Sequence, residues 1–99
     1  MNDSELIDLH FDKGNGAIFS VCFDGKAVRC FVSQANAFLD KKASASQSFD
    51  AVFERYAKLI AEAAKLNISK HGVSSEPWGN LITETDIEIA QQNRGKKAI

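Results

Sequence analysis

Hydrophobic and polar positions along this chain follow two different periods. Over residues 44–67, SASQSFDAVFERYAKLIAEAAKLN, apolar groups recur at steps of three and four: Phe49, Val52, Phe53, Tyr56, Ile60, Ala63 and Ala64, with Leu59 and Leu66 widening the stripe. That spacing predicts one long amphipathic helix, which needs an apolar surface to lie on. Ser44 and Gln47 have the spacing of a capping box and mark its expected start. On the polar side Glu54 and Lys58 stand four apart and Glu62 and Lys65 three apart. Such pairs contribute only tenths of a kcal/mol, so the apolar stripe decides the helix.

Upstream the period is two. In residues 5–12, ELIDLHFD, Ile7, Leu9 and Phe11 alternate with Asp8, His10 and Asp12, the pattern of a half-buried strand. Lys13-Gly14-Asn15-Gly16 then reads as a turn. AIFSVCF (17–23) and KAVRCFVS (26–33) flank Asp24-Gly25, a strong hairpin signal. A two-residue turn there sets Phe23 against Lys26, Val21 against Val28, Phe19 against Cys30 and Ala17 against Val32, all on one apolar face. The other face pairs Cys22 with Ala27, Ser20 with Arg29 and Ile18 with Phe31, and is mixed. The long helix is expected on the Phe19, Val21, Val28, Cys30 face. A four-residue loop after Asp12 would send Ile7, Leu9 and Phe11 to the mixed face. A three-residue loop with a glycine bulge would send them to the apolar one, the arrangement preferred here.

Ser33 is placed to cap a short helix over 34–41 with Ala35, Phe38 and Leu39 inward. Gly72 suits a helix stop, and VSSEPWGN (73–80) reads as a loop. Leu81-Ile82-Thr83 competes between a short fourth strand and the approach to a helix capped by Thr85 and Glu88 and running to about Gln92. The expected fold is α+β: a three-stranded antiparallel meander, with room for a fourth strand, covered on one face by the long helix and flanked by one or two short ones.

Composition adds exclusions. Ninety-nine residues, 44% hydrophobic and 25% charged, suit one domain over 1–99, with an ordered core at about 5–90 and a basic tail at 91–99. No run approaches the roughly 20 apolar residues of a membrane span, and the acidic start MNDSELID is unlike a signal peptide, so a cytoplasmic location is expected. A net charge of −1 gives no general attraction to nucleic acid or anionic lipid. Asp3, Glu5, Asp8 and Asp12 make the beginning acidic, and Arg94, Lys96 and Lys97 make the end basic.

Candidate chemistry is sparse. Cys22 and Cys30 fall on opposite faces of the hairpin, which excludes a disulfide between them, and their spacing matches no metal or redox motif. Asp8, His10 and Asp12 offer oxygen and nitrogen ligands in principle, although charges that keep an edge strand unsociable explain them more simply. His71 reads as a surface residue at a helix end. Gly14-Asn15-Gly16 joins two strands and is too short for a phosphate cradle, so no cofactor, metal or catalytic residue is predicted. Ile18, Arg29 and Phe31 on the mixed face are the interface candidates, together with Trp78, whose simpler role is to anchor its loop to the core.

The run V-C-F-D-G-K-A-V-R-C-F-V-S (21–33), followed by Phe38-Leu39 and then by Phe53, Ile60 and Ala64, resembles a small bacterial family of unassigned function, domain-of-unknown-function family 1488. The resemblance covers roughly residues 5–87. It implies a compact α+β bacterial domain and carries no catalytic residues to transfer.

The leading expectation is a small cytoplasmic interaction or regulatory domain, without catalysis, that self-associates as a homodimer or binds another protein. One alternative is a nucleic-acid-binding module, since three strands and a helix preceded by Lys41-Lys42 are similar in outline to double-stranded RNA-binding domains; the charge balance opposes it. Another is a metal or catalytic site on Asp8, His10 and Asp12.

Overall fold

In the computed structural model, which describes residues 6–12, 14–43 and 47–97, three strands form an antiparallel meander: β1 (Leu6–Asp12), β2 (Gly16–Phe23) and β3 (Lys26–Ser33). The β2–β3 register is the one that the Asp-Gly turn dictates, from Phe23 opposite Lys26 to Ala17 opposite Val32. Asp24 and Gly25 both have positive φ, 54° and 79°, so the turn carries the twist that suits a hairpin.

Asp12 faces Gly16 across a three-residue loop, and this brings Phe11 opposite Ala17 on the apolar side. The register shifts between Ile7 and His10, where Asp8 takes a φ of 54° and one extra residue enters the strand. A bulge reverses the alternation beyond it. Leu9 and Phe11 therefore pack against the core, but Ile7 does not, contrary to the uniform alternation expected; it faces Ser20 and is 38% exposed. Leu6 takes the inner place opposite Val21.

After β3 come α1 (Ala37–Lys42), α2 (Phe49–Arg55) and α3 (Ala57–His71), then a two-residue strand, β4 (Asn80–Leu81), and α4 (Glu84–Lys97). β4 pairs with β3 in parallel, Cys30 beside Asn80 and Phe31 beside Leu81. The sheet is thus mixed, in the order β1-β2-β3-β4, and the purely antiparallel meander is corrected. A parallel neighbour needs a crossover connection, and the helices over the inner face provide it.

The single long helix is also corrected: it is two helices meeting at Tyr56, whose φ of −107° and ψ of 18° depart from helical values. Neither glycine nor proline stands there. Helical bonds cross the junction, Tyr56 N–H to the Val52 carbonyl (3.3 Å) and Ile60 N–H to the Tyr56 carbonyl (2.9 Å), so the apolar stripe continues through the bend. Different aromatic partners lie on either side of it. Phe53 meets Phe11 edge-on at 5.5 Å and Phe19 at 5.8 Å, while Tyr56 meets Phe38 edge-on at 5.5 Å. The cap of α2 is Ser48, whose hydroxyl accepts the Ala51 N–H. Ser44, the expected cap, lies outside the described residues.

Two further caps are shifted. Asn36 rather than Ser33 caps α1, its Oδ1 accepting the Phe38 and Leu39 amides, and Ala35 is exposed while Phe38 and Leu39 are buried. Thr83 and Asp86, two residues ahead of the expected pair, form the box that opens α4: the Thr83 N–H donates to Asp86 Oδ2 (2.9 Å) and the Asp86 N–H to Thr83 Oγ1 (3.4 Å). The α4 backbone continues through Lys97, past the expected end at Gln92 and into the segment expected to be a tail. Gly72 closes α3 with φ 78°, as its place in the sequence suggests.

The core lies between the sheet and the helices. Ala17, Phe19, Val21, Val28, Cys30 and Val32 from the inner face meet Val52, Phe53, Ile60 and Ala64, and Ile82, Ile87 and Ala90 complete the layer. Among the described residues no helix is long and apolar enough to cross a membrane.

Candidate functional site

Burial of every second residue on β2 and β3 leaves the intervening side chains on the outer face of the sheet, where among the described residues no helix packs as on the inner one. Register arranges them in rows. His10, Ile18, Phe31 and Leu81 form one row across all four strands, and Ile7, Ser20 and Arg29 form the next. Ile18 and Phe31 are half-buried by their neighbours, whereas Leu81 remains 47% exposed. Nonpolar surface therefore runs unbroken along the first row from β2 to β4.

The loop after α3 forms one rim of this face. Arg29 Nη1 donates to the Pro77 carbonyl (3.4 Å), which draws the arginine towards the loop. Gly79 has φ 85°, and a Cβ on it would lie 2.1 Å from the Arg29 carbonyl oxygen, so only glycine permits so close an approach to β3. Trp78 is held between these two anchors yet is 48% exposed. The structure thus brings Ile18, Arg29, Phe31 and the Trp78 loop to one side of the sheet, and adds Ile7, His10 and Leu81. The sequence pattern missed Ile7 because the bulge was hidden in a good alternation, and Leu81 because a two-residue strand has no period.

Both sheet edges are occupied or distorted. β1 is interrupted by its bulge and carries Asp8 and Asp12, features that discourage another strand from adding there. β4 is clamped by side-chain amides: Asn67 Nδ2 donates to the Leu81 carbonyl (3.1 Å) and Asn36 Nδ2 to the Ile82 carbonyl (3.3 Å). Asn80 Nδ2 donates to Asn67 Oδ1 (2.9 Å) and to the Gly72 carbonyl (2.8 Å), while its Oδ1 accepts the Ser74 N–H (2.9 Å). Asp86 Oδ2 gathers Asn67 Nδ2, the Thr83 N–H and the Thr83 hydroxyl. Among the described residues every buried side-chain nitrogen and oxygen has a partner. This network had one sequence signal, Asn67 standing at an apolar place in the stripe.

The amide network floors a polar cleft of about 690 Å³ between the end of α3 and the start of α4, lined also by Lys70, His71, Ser75 and Thr85. Asn67, Asn80, Thr83 and Asp86 of its lining already satisfy one another.

The remaining candidates separate. Cys22 is exposed on the outer face of β2, and Cys30 is buried on the inner face of β3, where burial pushes its thiol up to about 12. Both are free. Asp12 accepts from its own turn, Asn15 Nδ2 to Oδ2 (2.9 Å). Among the described residues no three His, Cys, Asp or Glu side chains cluster as metal ligands. Lys41 Nζ pairs with Glu84 at 2.8 Å, and the hydrogen bond and charge of Glu84 raise its pKa. Lys42 Nζ lies 5.4 Å from the centre of the Phe38 ring.

Comparison with known proteins finds no matching family model, no similar curated protein and no similar solved structure.

Proposed function

We propose that this chain is a small protein-interaction or regulatory domain, acting by binding rather than catalysis, and that the open face of its sheet is the binding surface. The observation that carries this reading is the Ile18–Phe31–Leu81 row, apolar and, among the described residues, not covered by a helix. Arg29 and the half-exposed Trp78 at its rim are side-chain types that dominate binding energy at protein interfaces. A bacterial setting, suggested by the resemblance to domain-of-unknown-function family 1488, and a cytoplasmic location are part of this proposal.

Nucleic-acid binding is less well supported by the same surfaces. Lys41 is paired with Glu84 and Lys42 lies on Phe38, so the two lysines before α2 do not present a free basic stripe, and Asp12 stands on β1 at the edge of the open face.

The test is affinity recovery with tagged wild-type chain and with Phe31→Asp. A protein retained in stoichiometric amount by the wild type, whether this chain or another, should be lost from the variant while circular dichroism stays unchanged. Equal retention by a folded Phe31→Asp would remove the open face as the binding surface.

A further inference from the structure

We infer that the occupant of the open sheet face is a second copy of this chain, packed face to face about a two-fold axis that runs along the strands between β2 and β3. This rests on the interaction reading above and names its partner. The register makes the face self-complementary. A rotation about such an axis keeps each residue at its height along the strands and exchanges β2 with β3, so Phe31 lies over Ile18 of the second copy and Ile18 over its Phe31. The next row sets Arg29 over Ser20, and the row beyond sets Cys22 over Ala27. Large groups meet smaller ones, and the Arg29 guanidinium meets the Ser20 hydroxyl rather than its own like. Leu81, at the end of its row, lies over His10 of the second copy.

Edge-to-edge strand addition, the other route for a sheet, is discouraged by the chain itself. Strand addition at β1 meets the bulge, and addition at β4 meets the Asn67 amide bound to the Leu81 carbonyl. Area sets the size class of the interface. Strands about 4.8 Å apart and about 25 Å long give a face on the order of 500 Å², so two copies bury about 1,000 Å², near the lower bound for a specific interface. Aligned packing of two sheets at about 30° preserves most of these row contacts. An interface of this size suits a reversible dimer, which makes concentration the variable to scan.

Cys22 gives a local readout, because it lies on the covered face while the other thiol, Cys30, is buried in every form of the folded chain. Reduced full-length protein is examined by light scattering from about 5 μM to 1 mM, and in parallel its thiols are reacted with a small disulfide reagent. The expected result is a mass rising towards twice that of the monomer, with a rate constant for Cys22 that falls at least severalfold over the same range. In Phe31→Asp both effects should vanish, and in Leu81→Asp, at a half-exposed position that tolerates charge, the apparent Kd should rise about tenfold or more. Leu81→Asp carries the test if Phe31→Asp loses its circular dichroism. A mass that stays monomeric throughout overturns the second copy as occupant and leaves the open face to a different protein, which the affinity recovery decides. A dimer that survives both variants, with Cys22 reacting as fast at high concentration as at low, places self-association elsewhere and overturns the inference together with the open-face reading.

Discussion

Cys30 is wholly buried between Val28 and Val32 of the inner face, and its thiol is held up to about 12 because the thiolate would lose its hydration there. In the unfolded chain the same thiol titrates near 9. The protonated form is the one that the fold tolerates, so Cys30 adds no pH dependence below about 9. Between about 9 and 12 the unfolded state sheds a proton that the native state keeps, and stability falls with a slope of about 1.4 kcal/mol per pH unit. Denaturant melts of wild type and Cys30→Ala from pH 7 to 11 should show that component in the wild type alone, whatever the cavity costs Cys30→Ala at neutral pH. Parallel slopes would mean that the site admits water. The burial of Cys30 was legible from hairpin alternation, as was the placing of Ile18, Arg29 and Phe31 on the other face. Asn36, Asn67 and Asn80 were not, because each acts through a partner distant in sequence, such as the Ile82 carbonyl for Asn36.

Elements were legible wherever local rules and tertiary packing agreed. The β2–β3 hairpin is the clear case, since turn chemistry and two alternating strands each specify one register. β1 misled because Ile7 to Asp12 alternate, whereas the strand contains a bulge at Asp8. Two local hints of the bulge are the adjacent apolar pair Leu6-Ile7 and Asp8 itself, since aspartate tolerates left-handed backbone better than most residues. Two substitutions separate backbone from charge. Asp8→Gly should leave stability unchanged or raise it slightly, since glycine reaches φ 54° freely, while Asp8→Val should lower it by about 1 to 2 kcal/mol. Equal losses in both would show that the carboxylate, not the backbone, holds the bulge. The bend at Tyr56 was hidden for a different reason: the apolar period passes through it intact, and only the division of Phe53 and Tyr56 between two aromatic neighbourhoods reveals it. The parallel pairing of β4 depends on where three helices deliver the chain, which no local pattern encodes.

At the scale of the whole molecule, one sheet face is sealed by helices and the other is left with a row that runs from His10 to Leu81. Three strands of alternation showed that this second face is mixed, but whether another layer covers it depends on how far the helices reach, which alternation does not encode. Self-association on that face links folding to concentration, because a ligand that binds only the native state stabilises it by an amount growing with its concentration over Kd. At about tenfold above Kd the increment is on the order of 1 kcal/mol, enough to raise the melting temperature of a domain this size by several degrees. The rise should appear between about 10 μM and 1 mM in the wild type, measured by reduced-protein calorimetry, and should be absent from Leu81→Asp. Substitutions in the amide clamp offer the contrast. Asn80→Ala leaves the Asn67 Oδ1, the Gly72 carbonyl and the Ser74 N–H without their partner, and this lowers the melting temperature by the same amount at every concentration as long as the face still pairs. A flat wild-type curve would show instead that the face remains solvated at these concentrations, with its apolar row held for a partner other than a second copy.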